Sequence, residues 1–263
     1  MPTAVSAAAA VVMVLLCAIQ AQSAQADLTI PAQASVALNG GSIDLGCTSA
    51  IVAGSVSLDG GVLGNASDVT IAPGGSVDAG SGTVVLAGTW TREGAFVAGT
   101  STVAFVDAPC ATAGRILGAT TFNALSITSS SGKRYALASG EVQSVNAALT
   151  IRGTPALPVQ IVATQPPAQG YFRLAAGGAQ FIANVGVSDN WAIGQTLAEG
   201  QLNAGGNANV QGWFGASSPL ADVTPIPALD ARGLLLTIAA LLALTGSLRR
   251  RIFPPPKAPR DRP

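Results

Sequence analysis

The sequence predicts an all-β fold, and three observations favour a right-handed parallel β-helix, or β-solenoid. Residues 27–215 are rich in Gly, Ala, Ser, Thr and Val and show almost no helical periodicity. Short segments with strand character alternate with Gly, Asn and Asp turns. These segments recur about every seven residues, so three of them would make roughly one coil of a parallel β-helix.

The first half of this body sets the period. Segments such as SVALNGG, SIDLG, SVSLDGG and DVTIAPGG each end in turn residues. Small residues at every corner allow a chain to turn sharply and stack on itself, so short strands suffice. A β-sandwich, the alternative, would need longer strands. We assign eight residues to the interior: Val36, Ile43, Ile51, Val56, Val62, Val69, Val77 and Val84.

The second half contains longer strand candidates. They are STVAFVD (101–107), TFNALSIT (121–128), AALTIRG (147–153) and VQIVAT (159–164). They either continue the β-helix with wider coils or close it with a sandwich-like cap, and we expect continuation. Trp191 and Trp213 follow among Asn and Gly residues. Such aromatic residues either stack on sugar rings or plug the open end of a solenoid, and we favour the plug.

The N-terminal segment, residues 1–26, has the features of a secretory signal helix. An apolar run extends from Ala4 to Ile19, and small residues stand at Ala24 and Ala26. This arrangement predicts cleavage after Ala26 by signal peptidase. A buried helix, or a lipoprotein signal ending at Cys17, is the alternative.

Charge is distributed unevenly along the chain. Residues 27–225 carry six basic and eleven acidic side chains, whereas residues 249–263 carry six basic and one acidic. An acidic body lacks the basic patch that neutralises phosphates, so we exclude nucleic acid as a partner.

Two cysteines remain if the signal is removed. Cys47 and Cys110 would then form an even pair in a compartment that permits disulfides. The pair therefore predicts a disulfide, with two separate buried thiols as the alternative.

Catalytic chemistry has few candidate groups here. The chain contains no histidine, the commonest general base. The carboxylates stand singly and mostly beside glycine, which predicts turn roles rather than a paired acid site. The Gly-Asp segments also depart from the calcium-binding nonapeptide. We predict no catalytic residue, no metal ligand and no cofactor. The acids considered were Asp44, Asp59, Asp68, Asp78, Glu93, Asp107 and Glu141.

The C-terminal region predicts a membrane-inserted segment. After a linker at 216–232, residues 233–248 form a run of 16 uncharged residues. As a helix this transmembrane run would be about 24 Å long, which spans a thinned bilayer. Arg249, Arg250 and Arg251 follow directly, so the positive-inside rule places the tail at 249–263 in the cytoplasm.

A Pro motif precedes this run and carries a family resemblance. Ile226, Pro227, Ala228 and Leu229, with Gly233, resemble the IPTL-CTERM sorting signal, a relative of the PEP-CTERM signals of Gram-negative bacteria. The order of motif, short membrane helix and basic cluster is typical of that family. GTWTREGAFVAGTSTVAFVD and GGNANVQGWFG also resemble the Gly-rich β-repeat passengers that carry such signals.

The resemblance implies a partner and a destination. An exosortase-type membrane enzyme would recognise the signal and cut near its motif. The precursor would be anchored in the inner membrane with a periplasmic body, and the passenger would then reach the cell surface or the extracellular matrix. We therefore expect an exported, non-enzymatic surface protein, with adhesion and polysaccharide binding as candidate roles. The alternatives are a carbohydrate-active β-helix enzyme and a permanently membrane-anchored structural protein.

Overall fold

The described part of the chain comprises residues 26–215 of a computed structural model. The predicted signal helix, linker, transmembrane helix and basic tail lie outside it, apart from Ala26. Residues 26–215 contain strands and turns, without an α-helix. Over this range there is accordingly no helix of the length and apolarity that crossing a bilayer requires.

Short strands, most of them three to five residues long, follow one another along the chain. In order they are β1 (Leu28–Ile30), β2 (Ser35–Ala37), β3 (Ser42–Asp44), β4 (Ala50–Val52), β5 (Ser55–Ser57), β6 (Val62–Ala66), β7 (Val69–Ile71), β8 (Ser76–Asp78), β9 (Thr83–Leu86), β10 (Thr89–Arg92), β11 (Ala95–Val97), β12 (Thr102–Phe105), β13 (Ala113–Leu117), β14 (Thr121–Thr128), β15 (Arg134–Leu137), β16 (Val142–Arg152), β17 (Val159–Ala163), β18 (Gly170–Leu174), β19 (Ala179–Ala183), β20 (Val185–Val187), β21 (Asn190–Gly194) and β22 (Val210–Gln211).

The strands form three parallel sheets that wind around one core. Sheet 1 runs β1-β4-β7-β10-β13-β15-β17-β20, and sheet 2 runs β2-β5-β8-β11. Sheet 3 runs β3-β6-β9-β12-β14-β16-β18-β21-β22, with β19 also paired to β16. Strands inside each sheet pair with the strand one coil earlier and one coil later, and in the described residues the terminal strands of the sheets pair on one side. The predicted parallel β-solenoid is therefore confirmed, with about nine coils.

The repeat length also agrees with the sequence. Ile43 pairs with Leu63 and Leu63 pairs with Val84, so successive coils are offset by 20 and 21 residues. Three steps of about seven residues predict the same length. Regular stacking at this period lets the three-residue strands inside each sheet gain hydrogen bonds on both sides.

The later coils continue the solenoid with wider turns, as expected. Sheet 2 ends at β11, and sheet 3 then contains strands of 8 and 11 residues, β14 and β16. All of these strands pair in parallel with their neighbours. The predicted candidates thus belong to the stack, and the sandwich-like cap is not formed in the described residues.

Two of the eight interior assignments are wrong. Ile51 lies between buried Ala50 and Val52 and faces outward. Val62 is 38% exposed, whereas its neighbour Leu63 is buried. Side chains alternate between the two faces of a strand, so a shift of one residue exchanges inside and outside. In both segments several adjacent residues are apolar, and hydrophobicity alone therefore does not identify the inner face.

The other six assignments face the core. Val56, Val69, Val77 and Val84 are buried, and Val36 and Ile43 are partly buried in the first coil. One continuous apolar cluster runs from the first coil to the last. Every strand pair and this whole core lie within residues 28–213, so the described segment contains the contacts that an independently folding domain needs.

Candidate functional site

The predicted sorting residues lie outside the described part of the chain. This applies to Ile226, Pro227, Ala228, Leu229 and Gly233, and to Arg249, Arg250 and Arg251. Ala24 of the predicted signal-peptidase site is also outside. Ala26 is the first described residue and is exposed, two residues before β1 begins.

The edge where sheet 3 turns into sheet 1 carries many polar contacts between coils. We call it the disulfide corner, formed by residues 45–49, 67–68, 87–88, 106–112 and 129–133 of the first five coils. A disulfide joins Cys47 to Cys110, with 5.7 Å between their Cα atoms. The predicted pairing is therefore confirmed.

The disulfide connects coils that are not adjacent. Cys47 follows β3 in the first coil, and Cys110 follows β12 in the fourth. The two strands are three coils apart, about 14 Å at about 4.8 Å per strand, whereas the two Cα atoms are 5.7 Å apart. The loop at 106–112 therefore runs back along the solenoid axis toward the first coil. A groove of about 250 Å³ beside Cys47 is lined by this loop and by residues of the second and third coils, Asn65 and Ala87 among them.

Gly88 allows this close packing. A Cβ at this position would lie 2.6 Å from Oδ1 of Asp68 and 3.3 Å from the Cβ of Ala111. A larger side chain would therefore collide with the second coil and displace the loop. With glycine there, Asp68 accepts a hydrogen bond from the backbone N–H of Thr89.

Asp68 and Asp107 lie at this corner, and Asp44 directly precedes it at the end of β3. Asp44 accepts hydrogen bonds from Asn65 Nδ2 at 2.8 Å and from the N–H of Gly46 at 2.9 Å, and these bonds lower its pKa. Asp68 bonds to the coil above it, as described. Asp107 accepts hydrogen bonds from the N–H groups of Ser130 and Ser131 at 2.8 and 3.1 Å.

The pKa of Asp107 reflects two opposing effects. Burial raises its pKa, but hydrogen bonds from Ser129, Ser130 and Ser131 outweigh burial, and the pKa lies below its usual value. The carboxylate therefore stays ionised and joins the fourth coil to the fifth. These contacts suit structural turns better than a proton donor, which needs a raised pKa.

Lys133 is a buried cation beneath the corner. Its side chain is 3% exposed, and Nζ donates to the carbonyl oxygens of Ala87 at 2.5 Å and Val106 at 3.4 Å. Burial lowers the pKa of Lys133, while the negative charges of Asp107 and Asp68 oppose that effect. The ammonium group thus ties the third and fourth coils to the fifth.

Tyr135 lies next to this cation and is fully buried. Its ring packs edge-on against Phe105, with 5.6 Å between centroids, and Nζ of Lys133 lies 5.7 Å from its centre. Among the described residues, its hydroxyl group has no hydrogen-bond partner. Burial, assisted by the charge of Asp107, raises the pKa of Tyr135 well above the ordinary value of about 10.

The raised pKa makes stability sensitive to alkali. Above pH 10 the unfolded chain loses the tyrosine proton while the folded chain keeps it, so stability falls as pH rises. The lowered pKa of Lys133 makes stability rise with pH, but only below the ordinary lysine pKa of about 10.5. We therefore expect the free energy of unfolding to fall by about 1.4 kcal/mol per pH unit above about pH 10.5.

The variant Tyr135→Phe should remove this alkaline decline. Since the hydroxyl group has no partner, stability at neutral pH should stay equal or rise by about 1 kcal/mol. Urea unfolding at neutral pH and between about pH 10.5 and 11.5 measures both effects. Tyr171→Phe is the matched control and should keep the decline. An equal decline in Tyr135→Phe and the parent protein would contradict the assignment.

The remaining acids are distributed over other turns. Asp78 accepts a hydrogen bond from the N–H of Gly80 at 3.1 Å, and Asp59 has a φ of 39° in its turn. Glu93 follows β10, and Glu141 precedes β16. Within residues 26–215, no group of three or more Cys, Asp or Glu side chains is arranged to hold a metal ion.

A shallow polar groove extends the corner toward the later coils. It has a volume of about 420 Å³ and is lined by Asp107, Ser130 and Arg152 among others. The guanidinium group of Arg152 stacks on the exposed ring of Phe181, 4.5 Å from its centre. The groove therefore offers an acceptor, a cation and an apolar edge to a ligand.

The two late tryptophans have different environments. Trp213 is 3% exposed and donates from Nε1 to Oδ1 of Asn190 at 3.2 Å, so it plugs the end of the core as expected. Trp191 is on the outer face of β21, where it contacts Tyr171 edge-on with 6.0 Å between ring centroids. The plug interpretation is therefore correct for Trp213 and wrong for Trp191.

Lys133 and Tyr135 carry no sequence signal that predicts their burial. Both lie in the segment SGKRYAL, where a lysine between Gly and Arg indicates an exposed turn. Their burial depends on other coils: Tyr135 packs in the core against Phe105, and Lys133 donates to the carbonyl oxygens of Ala87 and Val106. Comparison of the chain with protein-family models, with curated proteins and with solved structures finds no match.

Proposed function

We propose that this protein is an exported, non-enzymatic surface protein whose β-solenoid is the passenger of a C-terminal exosortase-type sorting signal. The passenger would reach the cell surface or extracellular matrix after cleavage near Pro227. Signal peptidase, the inner membrane and the exosortase-type enzyme would be its successive partners. The observation that carries this proposal is the disulfide between Cys47 and Cys110.

The disulfide supports export because of where such bonds persist. Thiols stay reduced in the cytosol, whereas the periplasm and the cell exterior permit disulfides. This disulfide ties the first coil to the fourth, so the described fold includes a cross-link of the kind that persists in oxidising compartments, which supports export. The apolar segment at 1–26 is the sequence feature that would carry the body there.

The hydrogen bonds that the acidic side chains accept support a structural role for them. Asp44, Asp68 and Asp107 each accept hydrogen bonds from backbone N–H groups in turns or in a neighbouring coil. A glycosidase would instead need two carboxyl groups facing a common substrate, one of them with a raised pKa. The outward pair of Tyr171 and Trp191 offers an aromatic surface for adhesion to polysaccharide.

We also propose a right-handed winding for the coils. Connections between parallel strands of one sheet are right-handed in nearly all known cases, because a right-twisted strand packs back onto the sheet only in that sense. An experimental structure of residues 27–215 would decide the hand.

Variants of the C-terminal signal test the sorting proposal. Pro227→Ala, and a triple change of Arg249, Arg250 and Arg251 to Ala, should retain the protein in the membrane fraction, because the recognition motif or the topology signal is lost. Pro254→Ala and Lys257→Ala are matched controls in the tail beyond the cluster and should leave delivery unchanged. Cell fractionation with surface proteolysis measures the distribution.

Mass spectrometry of the surface-exposed protein distinguishes processing from permanent anchoring. We expect its C-terminus to lie near Pro227. An intact Arg249–Arg251 cluster on the surface protein would refute cleavage and favour the anchored structural protein. Normal surface delivery of Pro227→Ala and of the triple variant would leave the sorting signal without a role.

A further inference from the structure

Within residues 26–215, the N-terminal end of the core has no segment covering it. Among these residues, β1, β2 and β3 are each the terminal strand of a sheet and pair on one side only. Val36 and Ile43 are partly buried, whereas their pairing partners in the second coil, Val56 and Leu63, are 5% and 6% exposed. The apolar side chains at this end are Leu28, Val36, Leu38 and Ile43.

The opposite end of the solenoid is closed. Trp213 and Leu197 are buried there, and the last strand, β22, has only two residues. Side-chain amides also occupy backbone groups of the coil beneath. Asn203, for example, bonds to both the N–H and the carbonyl oxygen of Val187, at 2.7 and 2.9 Å. A head-to-tail stack of copies would therefore place an open end against a closed one.

The edge strands at the open end are short, which limits pairing with another chain, but most of the side chains that normally protect strand edges are missing from them. Natural edges carry lysine, proline or inward-pointing charges that block pairing with another chain. β1 and β2 contain no charged residue and no proline. The carboxylate of Asp44 in β3 bonds to Asn65 and Gly46 of its own chain. From residue 26 onward, the first basic residue of the described segment is Arg92.

We propose that this open end binds the same end of a second copy, forming a closed two-fold dimer. A two-fold axis across the solenoid reverses the direction of the coils, so the edge strands of the two copies meet antiparallel. Leu28, Val36, Leu38 and Ile43 of both copies then cover one another. The contact is self-complementary because each copy supplies three short edges around an apolar centre.

The proposal rests on the removal of residues 1–26 that the proposed function includes. Cleavage after Ala26 leaves Asp27 as the single residue before β1, so no N-terminal segment remains to cover this end. If the segment is retained, it is tethered directly to the open end and competes with the second copy. The dimer should therefore form from the processed chain.

Size-exclusion chromatography with light scattering tests the dimer. The chain of residues 27–215 should show the mass of a dimer at micromolar concentration, and the mass should fall on dilution. Val36→Lys places a charge inside the edge strand β2 and should raise the dissociation constant at least about tenfold. Val97→Lys, the same change on the exposed side of β11, should change it less than about twofold.

Two further measurements keep the result interpretable. The Cys47–Cys110 disulfide, determined by mass spectrometry of the Val36→Lys variant, reports whether its first coil is still folded. The chain of residues 1–215 should be monomeric if the retained segment covers the end. The proposal would be overturned if the 27–215 chain were monomeric at all concentrations. It would also be overturned if a folded Val36→Lys variant had the same dimer dissociation constant as the parent chain.

A separate measurement tests export independently of the dimer. The N-terminus of the protein isolated from cells, measured by mass spectrometry, shows whether cleavage after Ala26 occurs. An uncleaved protein would count against the export proposal, whereas the mass of the 27–215 chain tests the open end itself.

Discussion

Replacing both disulfide cysteines by alanine should lower the free energy of unfolding by about 4 kcal/mol. Cys47 and Cys110 are separated by 63 residues, and the cross-link removes the corresponding freedom from the unfolded chain. The loss is a large part of the stability of a typical domain, which is about 5–15 kcal/mol. Urea unfolding of the double variant and the parent protein measures it.

The loss should be specific to this pair. A reducing agent applied to the parent protein should produce the same decrease as the double variant. Cys17→Ala is the matched control, since it changes a cysteine in the predicted signal segment and should leave the processed body unaffected. A double variant within about 1 kcal/mol of the parent would show that the cross-link does not limit the unfolded chain.

Replacing Trp90 by alanine should destabilise the solenoid by about 3–5 kcal/mol. Trp90 is fully buried and packs against Phe96 and Phe122, with ring centroids 5.0 and 5.6 Å away. Its Nε1 donates to Oγ1 of Thr120 at 3.2 Å. Alanine would leave a cavity where sheet 2 ends and the wider coils begin, and neighbouring coils collapse little in a stacked structure.

Trp191→Ala provides the matched control. Trp191 belongs to the same residue type, but it lies on the outer face of β21, so its truncation should cost less than about 1 kcal/mol. Thermal and urea unfolding of both variants give the comparison. Equal losses in the two variants would contradict the placement of Trp90 in the core and Trp191 outside it.

Much of the fold could be predicted because the signal is local and repeated. Turn residues at intervals of about seven, with short β-branched segments between them, predict parallel stacking at about 21 residues per coil. The sequence was a weaker guide to which face of each strand is buried. Ile51 and Val62 are apolar but face outward, because each has an apolar neighbour that competes for the interior and a one-residue shift reverses the faces.

The corner chemistry could be predicted only in part. The disulfide between Cys47 and Cys110 could be predicted because two cysteines remain after removal of the signal. Which coils it joins could not be predicted. The burial of Lys133 beneath Ala87 and Val106 had no sequence signal, because lysine between turn residues is normally solvated. The acids at turns were anticipated, since Asp beside Gly bonds to nearby backbone N–H groups.

The sequence by itself determined the all-β class, the coil length and the identity of the two cysteines that pair. These properties depend on composition, on turn chemistry and on spacing along the chain. Only the tertiary structure decided which face of each strand is buried and that the loop at 106–112 crosses from the fourth coil to the first. It also decided that, in the described residues, the first coil has no strand paired on its outer side. Those features arise from contacts between coils 20 or more residues apart, where stacking brings together side chains whose separation in sequence carries no local signal.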